Sequence, residues 1–369
     1  MPLEITPAAP ADDALYALYE LDEAVDRGAD LPLFTRPAHL AYHRHPPPAQ
    51  EVRYGLARLD GELVGYTTLL FPQRDNLRTV EVGTVAVHPE HRRRGIGRAL
   101  ADFAVAEARR RGRSTLIGAS ARALPGGPAR DPAGGAFARA LGATCAQTEV
   151  RRRLDLTAAP DAAPAAAATR ATTAPDSTAP DGLAPDGAIA DGAAPDGARG
   201  GARAGSAGYS LVRWALRAPA DCVDDVAYLD GRLLVDAPLG DLAWEPQRLD
   251  AARVRANEHR LAAALRRPYN VAARHDATGR LVAWTQILCA DNADGHAWQQ
   301  ITIVDPAHRG HGLGLLVKVA NLRYARAHEP GLRVVDTFNA AENGHMIAIN
   351  ERMGYRPLDA WENWQRTLD

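Results

Sequence analysis

The sequence predicts an α+β (α/β) protein made twice: two sheet domains, each flanked by helices, joined by a disordered linker. Three observations carry this. A turn rich in glycine and arginine is written twice, as "VAVHPEHRRRGIGRAL" from Val85 to Leu100 and as "IVDPAHRGHGLGLLV" from Ile303 to Val317. Around each copy the same series of strand and helix signals recurs. Between the copies lies a segment of quite different composition. From Ala158 to Ser206 the chain repeats phrases such as "TAPDSTAPDGLAPDG" and lacks aromatic residues. Such a stretch cannot offset its ordering entropy by burial. It divides the 369 residues into Met1 to Thr157 and Ala207 to Asp369, lengths that suit one ordinary domain each.

Each element has a local reason. In the first half, Leu15, Leu18, Tyr19 and Leu21 give an amphipathic helix over Ala14 to Val25. "VRYGLARLDGELVGYTTLLF" reads as two strands about the turn Leu59-Asp60-Gly61. "TVEVGTVAVHP" is a β-branched strand stopped by Pro89. A helix opens at the glycines, with Ile96, Ala99, Leu100, Phe103, Ala104 and Ala106 at helical spacing. "STLIGAS" is a further strand, and "GGAFARALGA" a short helix ending at Gly142. The second half repeats the series. It has the strand "YSLVRWAL", a helix over Cys222 to Val235, a hairpin through Thr278-Gly279 and the strand "QQITIVDP". A helix over Leu313 to Ala327, the strand "LRVVDTF" and a helix over Met346 to Met353 complete it.

The formal net charge of −2 gives no global attraction for nucleic acid or an anionic membrane. The runs "HRRRG", "RRRGR" and "RRRL" (Arg151 to Arg153) are the features on which a nucleic-acid reading would rest; Arg-rich runs are usually solvated faces. No apolar run is long enough to span a bilayer, and "MPLEITPAAP", without a basic n-region or an apolar h-region, gives no expectation of a signal peptide. Cys145, Cys222 and Cys289 are distant and odd in number, which predicts inert thiols in a reducing cytoplasm and neither a disulfide framework nor a metal site. Lys318 is the only lysine.

The repeated turn has the makings of a pyrophosphate cradle. The first N–H groups of a helix have no partner within it and carry partial positive charge. Glycine lets backbone approach a phosphate, and arginine adds charge-assisted bonds. A Walker A loop would need Gly-Lys-Ser/Thr. A dinucleotide fingerprint would need a third glycine where Leu100 and Val317 stand.

The spacings Arg92-x-x-Gly95-x-Gly97 and Arg309-x-x-Gly312-x-Gly314, each after a strand ending in "VHP" or "VDP", resemble the acyl-CoA motif of the GNAT N-acetyltransferase superfamily, Gln/Arg-x-x-Gly-x-Gly/Ala. "NGHMIAINERMGY" from Asn343 to Tyr355 is similar to that family's C-terminal motif. The resemblance covers most of both halves and implies two GNAT-like domains, each a mixed, mostly antiparallel sheet flanked by helices. It implies acetyl transfer from acetyl-CoA to a primary amine of a small molecule or peptide. A noncatalytic acyl-CoA binder or sensor is the alternative.

The resemblance also implies roles. Arg92, Arg93, Arg94, Gly95, Ile96, Gly97 and Arg98 would hold the CoA pyrophosphate, as would Arg309, Gly310, His311, Gly312, Leu313 and Gly314. The pantetheine arm would lie beside Val85, Ala86 and Val87, and beside Ile303, Val304 and Asp305. Asn343, with Asn339 close by, would add a CoA contact in the second half; in the first, Asp131 takes its place. The acceptor amine, with a pKa of about 10.4, must lose a proton before it attacks. The family's usual base, eleven positions before the motif, falls on Glu81, in phase with Gly83, Val85 and Val87 on an ideal strand. The matching position in the second half is Trp298. The family's tyrosine acid is replaced by Ala138 and Asn350; Tyr66, Tyr355, Tyr324 and His345 are candidate substitutes. All six tryptophans lie in the second half, and Trp284 and Trp298 are expected to line an acceptor pocket.

Overall fold

The computed structural model describes residues 2–9, 15–25, 31–157 and 207–369. The predicted linker, 158–206, lies outside the described residues, as does Ala14. The first half runs β1 (Leu3–Ala8), α1 (Leu15–Val25), α2 (Arg36–Arg44), β2 (Gln50–Leu59), β3 (Glu62–Pro72), β4 (Thr79–Val87), α3 (Ile96–Arg110), β5 (Thr115–Ala123), α4 (Ala133–Ala140) and β6 (Thr144–Asp155). The second runs β7 (Tyr209–Ala215), α5 (Val223–Gly231), α6 (Leu233–Asp236), α7 (Ala251–Ala263), β8 (Arg266–His275), β9 (Leu281–Ala290), β10 (His296–Val304), α8 (Leu313–His328), β11 (Val334–Ala340), α9 (Gly344–Arg352) and β12 (Arg356–Thr367).

The hairpins form where the turn residues place them. Asp60 and Gly61 both adopt positive φ, which a two-residue hairpin turn requires and which Gly and Asp tolerate best. The helix expected over Cys222 to Val235 is interrupted at Arg232, giving α5 and α6. β1, α2, β6, α7 and β12 were not anticipated from the sequence. Cys222 and Cys289 are buried, but Cys145 is exposed.

The largest departure from expectation is in the sheet. Among the described residues the strands form one continuous twelve-stranded sheet in the order β1-β2-β3-β4-β5-β12-β6-β11-β10-β9-β8-β7. The last strand of each half has crossed to the other. β12 pairs with β5 along Thr115 to Ala123, and β6 pairs with β11 along Val334 to Ala340. β6 and β12 also pair with each other, antiparallel, at the centre.

Charge holds this seam. Arg151, on β6, is completely buried. Its Nε and Nη2 donate to Asp359 on β12 at 2.9 and 2.5 Å, and its Nη1 reaches Asp336 on β11 at 3.4 Å. Arg153 donates twice to Asp336, both at 2.8 Å, and Arg130 donates to Asp359 at 2.6 Å. Arg152 pairs with Glu351 at 3.3 Å. The run "RRRL" is therefore no surface for a polyanion; it fastens the first half to the second.

Arg151→Ala removes the arginine that reaches both carboxylates and leaves Asp359 to Arg130 and Asp336 to Arg153. The lost charged hydrogen bonds are expected to cost about 1.5–3 kcal/mol of unfolding free energy. Trp361 and Trp364 lie on the exchanged strand β12, so with both replaced by Phe in the background protein, the remaining tryptophans (Trp214, Trp244, Trp284 and Trp298) report the body of the second half during urea unfolding. The substitution, made in the first half, should shift the fluorescence midpoint; an unmoved midpoint would show that the seam does not couple the halves.

Candidate active site

The two turns share a backbone conformation. Arg93 and Gly95 adopt positive φ of 63° and 85°; the matching Gly310 and Gly312 adopt 83° and 71°. Neither Gly95 nor Gly312 caps its helix through a side chain. The described residues make no hydrogen bond to the N–H groups of Arg93 to Arg98. Successive N–H groups turned inward in this way form a concavity suited to an anion. Arg92 and Arg309 do something else as well. Their Nε atoms donate to the carbonyls of Val87 and Val304, at 3.2 and 3.3 Å, bracing the strand ends. Arg309 is further held by Asp236 at 2.9 Å. A Cβ at Gly314 would come within a tight 3.3 Å of Ile349, whereas one at Gly97 would meet Phe137 at 3.5 Å, an ordinary contact.

Behind each turn the sheet opens. β4 pairs in parallel with β5 only from Thr79 to Val82, and β10 with β11 only from His296 to Trp298. Each of β4 and β10 also carries a bulge at the matching place. Thr84 and Val82 pair with consecutive residues Thr68 and Leu69, which leaves Gly83 unpaired. On β10 the register shifts between Gln299 and Thr302. The first bulge corrects the expected alternation. Val80 and Val82 lie among residues of the α3 face, and so, beyond the bulge, does Val87. Glu81 therefore shares its face with Ala86, not with Val85 and Val87. A bulge at this point also frees backbone polar groups.

Glu81 does reach a cavity, one shared by both halves. Its volume is about 980 Å³, and its walls include Glu81, Gly83, Glu149, Trp298, Lys318 and Asn343. Burial pushes the Glu81 carboxyl above its ordinary value. Glu149, which sequence reasoning missed, is also raised by burial, partly offset by a hydrogen bond from Asn363 Nδ2 at 3.1 Å. It lies on β6, and only the strand exchange carries it to a cavity whose other wall is β11. No local pattern could have signalled that. Trp298 stacks on Phe338 with ring centroids 5.5 Å apart.

Other candidates are dispersed. Trp284 lines a different cavity, of about 350 Å³, and its Nε1 donates to Asn270 at 3.1 Å. Tyr66 donates to Asp22 at 2.7 Å beneath α1. Tyr355 is wholly buried beneath Lys318, whose Nζ lies 5.3 Å from the ring centroid, and burial raises its phenol. Tyr324 packs edge-on against Tyr269, and His345 is exposed. Asn343 caps α9 by accepting from Met346 N at 3.2 Å, as Asp131 accepts from Ala133 N at 2.9 Å. Asn339 accepts from Asn350 at 2.7 Å.

The halves differ most in the groove between sheet and helix. In the first half an apolar groove of about 210 Å³ runs from Val85 past Ala101, Ala104, Phe137 and Ala138 to Gly83. The matching positions in the second half hold Lys318, Asn321, Ile349 and Asn350, all buried. Asn321 donates to the Tyr269 carbonyl at 2.9 Å. Thus the first groove is apolar and lined by small residues, whereas the second-half opening is polar, with Lys318 and Asn343 on the wall of the shared cavity.

The comparisons with known proteins agree with this geometry. The acetyltransferase (GNAT) family matches residues 15–124. A solved tandem GNAT protein from the clavulanic acid biosynthesis pathway (without AcCoA) is 32% identical over 99% of this chain and 98% of that one, with a TM-score of 0.76. The chain belongs to the GNAT family. A GCN5-related N-acetyltransferase from Sphaerobacter thermophilus, 16% identical over 99% of this chain and 95% of its own, shares the fold at a TM-score of 0.60. No curated protein matches. The mixed sheet flanked by helices is thus a tandem GNAT fold, and no helix among the described residues is long and apolar enough to cross a membrane.

Lys318 gives this GNAT site a measurable signature. Burial lowers its pKa from 10.5 to about 7. The unfolded chain keeps that proton up to about 10.5 and the folded chain only to about 7, so stability gains with rising pH between those values. The cost of burying Lys318 is fully present below about pH 7 and vanishes above about pH 10.5. Lys318→Met should raise the melting temperature at pH 7, and the gain should shrink as pH rises toward 10. A gain independent of pH would mean that the amine stays charged in the fold.

Proposed function

We propose that this protein is a cytoplasmic acetyl-CoA-dependent N-acetyltransferase in which the first half carries out the chemistry and both halves enclose the acceptor. The carrying observation is the open groove from the first cradle to the bulge at Gly83, beside Glu81. The CoA pyrophosphate sits on the N–H groups of Arg93 to Arg98. The pantetheine arm lies in the groove along Val85, against Ala101 and Ala104. The free backbone groups at the bulge polarise the thioester carbonyl. The acceptor, a primary amine of a small molecule or peptide, enters the shared cavity. Its ammonium proton passes to Glu81, directly or through water, and the neutral nitrogen attacks the acetyl carbon. As the tetrahedral intermediate collapses, the C–S bond breaks and CoA leaves as a thiolate; the second proton shed by the nitrogen passes through water to that thiolate or to solvent. The place of the related tandem protein in clavulanic acid biosynthesis supports a small-molecule acceptor. The second half has kept the turn but presents Trp298 where the first has Glu81, and a buried lysine beside its opening, which supports a scaffolding role.

Calorimetric titration with acetyl-CoA tests the assignment. Arg93→Glu should abolish productive binding, and Gly312→Glu should leave it; the reverse result would move the chemistry to the second half. Once an amine is found that releases CoA thiol, Glu81→Gln should lower kcat by about 10²–10⁴ with little change in the KM for acetyl-CoA. Because Glu81 is raised above its usual 4.5 and must be ionised to accept a proton, the wild-type rate should fall as pH drops through that raised value. Saturable acetyl-CoA binding with no thiol release for any amine would support a sensor instead.

A further inference from the structure

Two histidines and an aspartate in the first half converge away from the groove and cavity just described. His39 and His43 stand one helical turn apart on the same face of α2, and Asp22 faces them from α1. His39 Nε2 lies 2.9 Å from Asp22 Oδ2 and 3.2 Å from His43 Nε2. All three ligand atoms fall within 4.8 Å of one another. His39 and His43 are 6% and 9% exposed.

Protons alone serve this cluster poorly. His39 Nε2 faces two neighbours and can carry only one hydrogen. If it donates to Asp22, His43 Nε2 is left with a side-on share of that hydrogen. If His43 donates to it instead, its bare nitrogen lies 2.9 Å from a carboxylate oxygen. A cation satisfies all three lone pairs together. Ligands about 2.0–2.1 Å from an ion are separated by about 2.9 Å at right angles and about 3.4 Å at tetrahedral angles, and the two short separations here fall at or between those values. The surroundings fit at two of the three ligands, while His39 Nδ1 is buried without a hydrogen-bond partner among the described residues. His43 Nδ1 lies 2.8 Å from the buried Tyr54 hydroxyl, which can accept its N–H, and Tyr66 donates to the other Asp22 oxygen at 2.7 Å. Partners of this kind orient metal ligands.

We infer that Asp22, His39 and His43 form a binding site for a divalent transition-metal ion of the zinc type, with Tyr54 and Tyr66 positioning the ligands. Three protein ligands leave a coordination position for water or a substrate donor atom. The site does not depend on the acetyl-transfer assignment. The sequence reading predicted no metal site, because the third ligand comes from a different helix, outside any His-rich or Cys-rich motif.

Tag-free protein, stripped with a chelator, is dialysed against Zn²⁺ in competition with a chromophoric chelator. We expect a single tightly held zinc and a melting temperature that rises with zinc concentration. His39→Ala/His43→Ala and the near-isosteric Asp22→Asn should lose both responses, with circular dichroism confirming their fold. Tyr54→Phe should bind about 10- to 100-fold more weakly. His275→Ala/His308→Ala, in a separate histidine group where the rings lie 4.8 Å apart, should bind as wild type does. Absence of tight zinc binding in the wild type would overturn the proposal. So would zinc binding that survives in both folded Asp22→Asn and the double histidine variant.

Discussion

Arg151 decides how this molecule is put together. A guanidinium with no exposed surface is tolerable only where carboxylates meet its donors, and here both come from the second half. Asp359 takes a two-pronged bond on the exchanged strand, and Asp336 approaches from β11. Buried ion pairs often contribute little net stability, because desolvation offsets attraction. A misaligned one is costly, however, so the cluster favours one register for β6 and β12 over its neighbours. Fixing those strands makes one sheet of two halves and brings the two openings in the sheet to a common cavity.

Within that frame the two copies have diverged in chemistry while keeping their turns. Alternating left-handed residues shape both cradles, and both use an arginine to brace the strand before them. The distinction lies behind the turn. Small residues keep the first groove open. A lysine and two asparagines make the second polar, and its opening joins the shared cavity. The catalytic carboxylate candidate follows the same division: Glu81 on β4, Trp298 at the matching place on β10. Glu149 complicates this, since the exchanged strand brings a first-half carboxylate to the second-half wall.

Burial sets the protonation of the cavity. Glu81 and Glu149 are raised and Lys318 is lowered, and desolvation is the leading cause each time. Each shift brings the group nearer to exchanging protons at neutral pH. That suits a chamber in which an ammonium must lose a proton before it can attack.

The sequence by itself determined whatever depends on neighbours along the chain. Glycine spacing after a β-branched strand marked both cradles, since the turn and helix start are local. The hairpin at Asp60-Gly61 was legible because its residues tolerate positive φ. Asn343 was legible as a cap because its partner is three residues away. Tertiary structure decided what depends on distant partners. The run Arg151 to Arg153 looks like a solvated face until Asp336 and Asp359 arrive from the other half. The bulge at Gly83, set by pairing with β3, turned Glu81 away from the phase of Val85 and Val87. Trp284 and Trp298, alike in sequence context, were sent to different cavities by the sheet. The convergence of Asp22 with His39 and His43 needed two helices to pack. Hydrophobic periodicity reports which face of an element is buried, but not which element buries it, and that is where the sequence stopped and the fold took over.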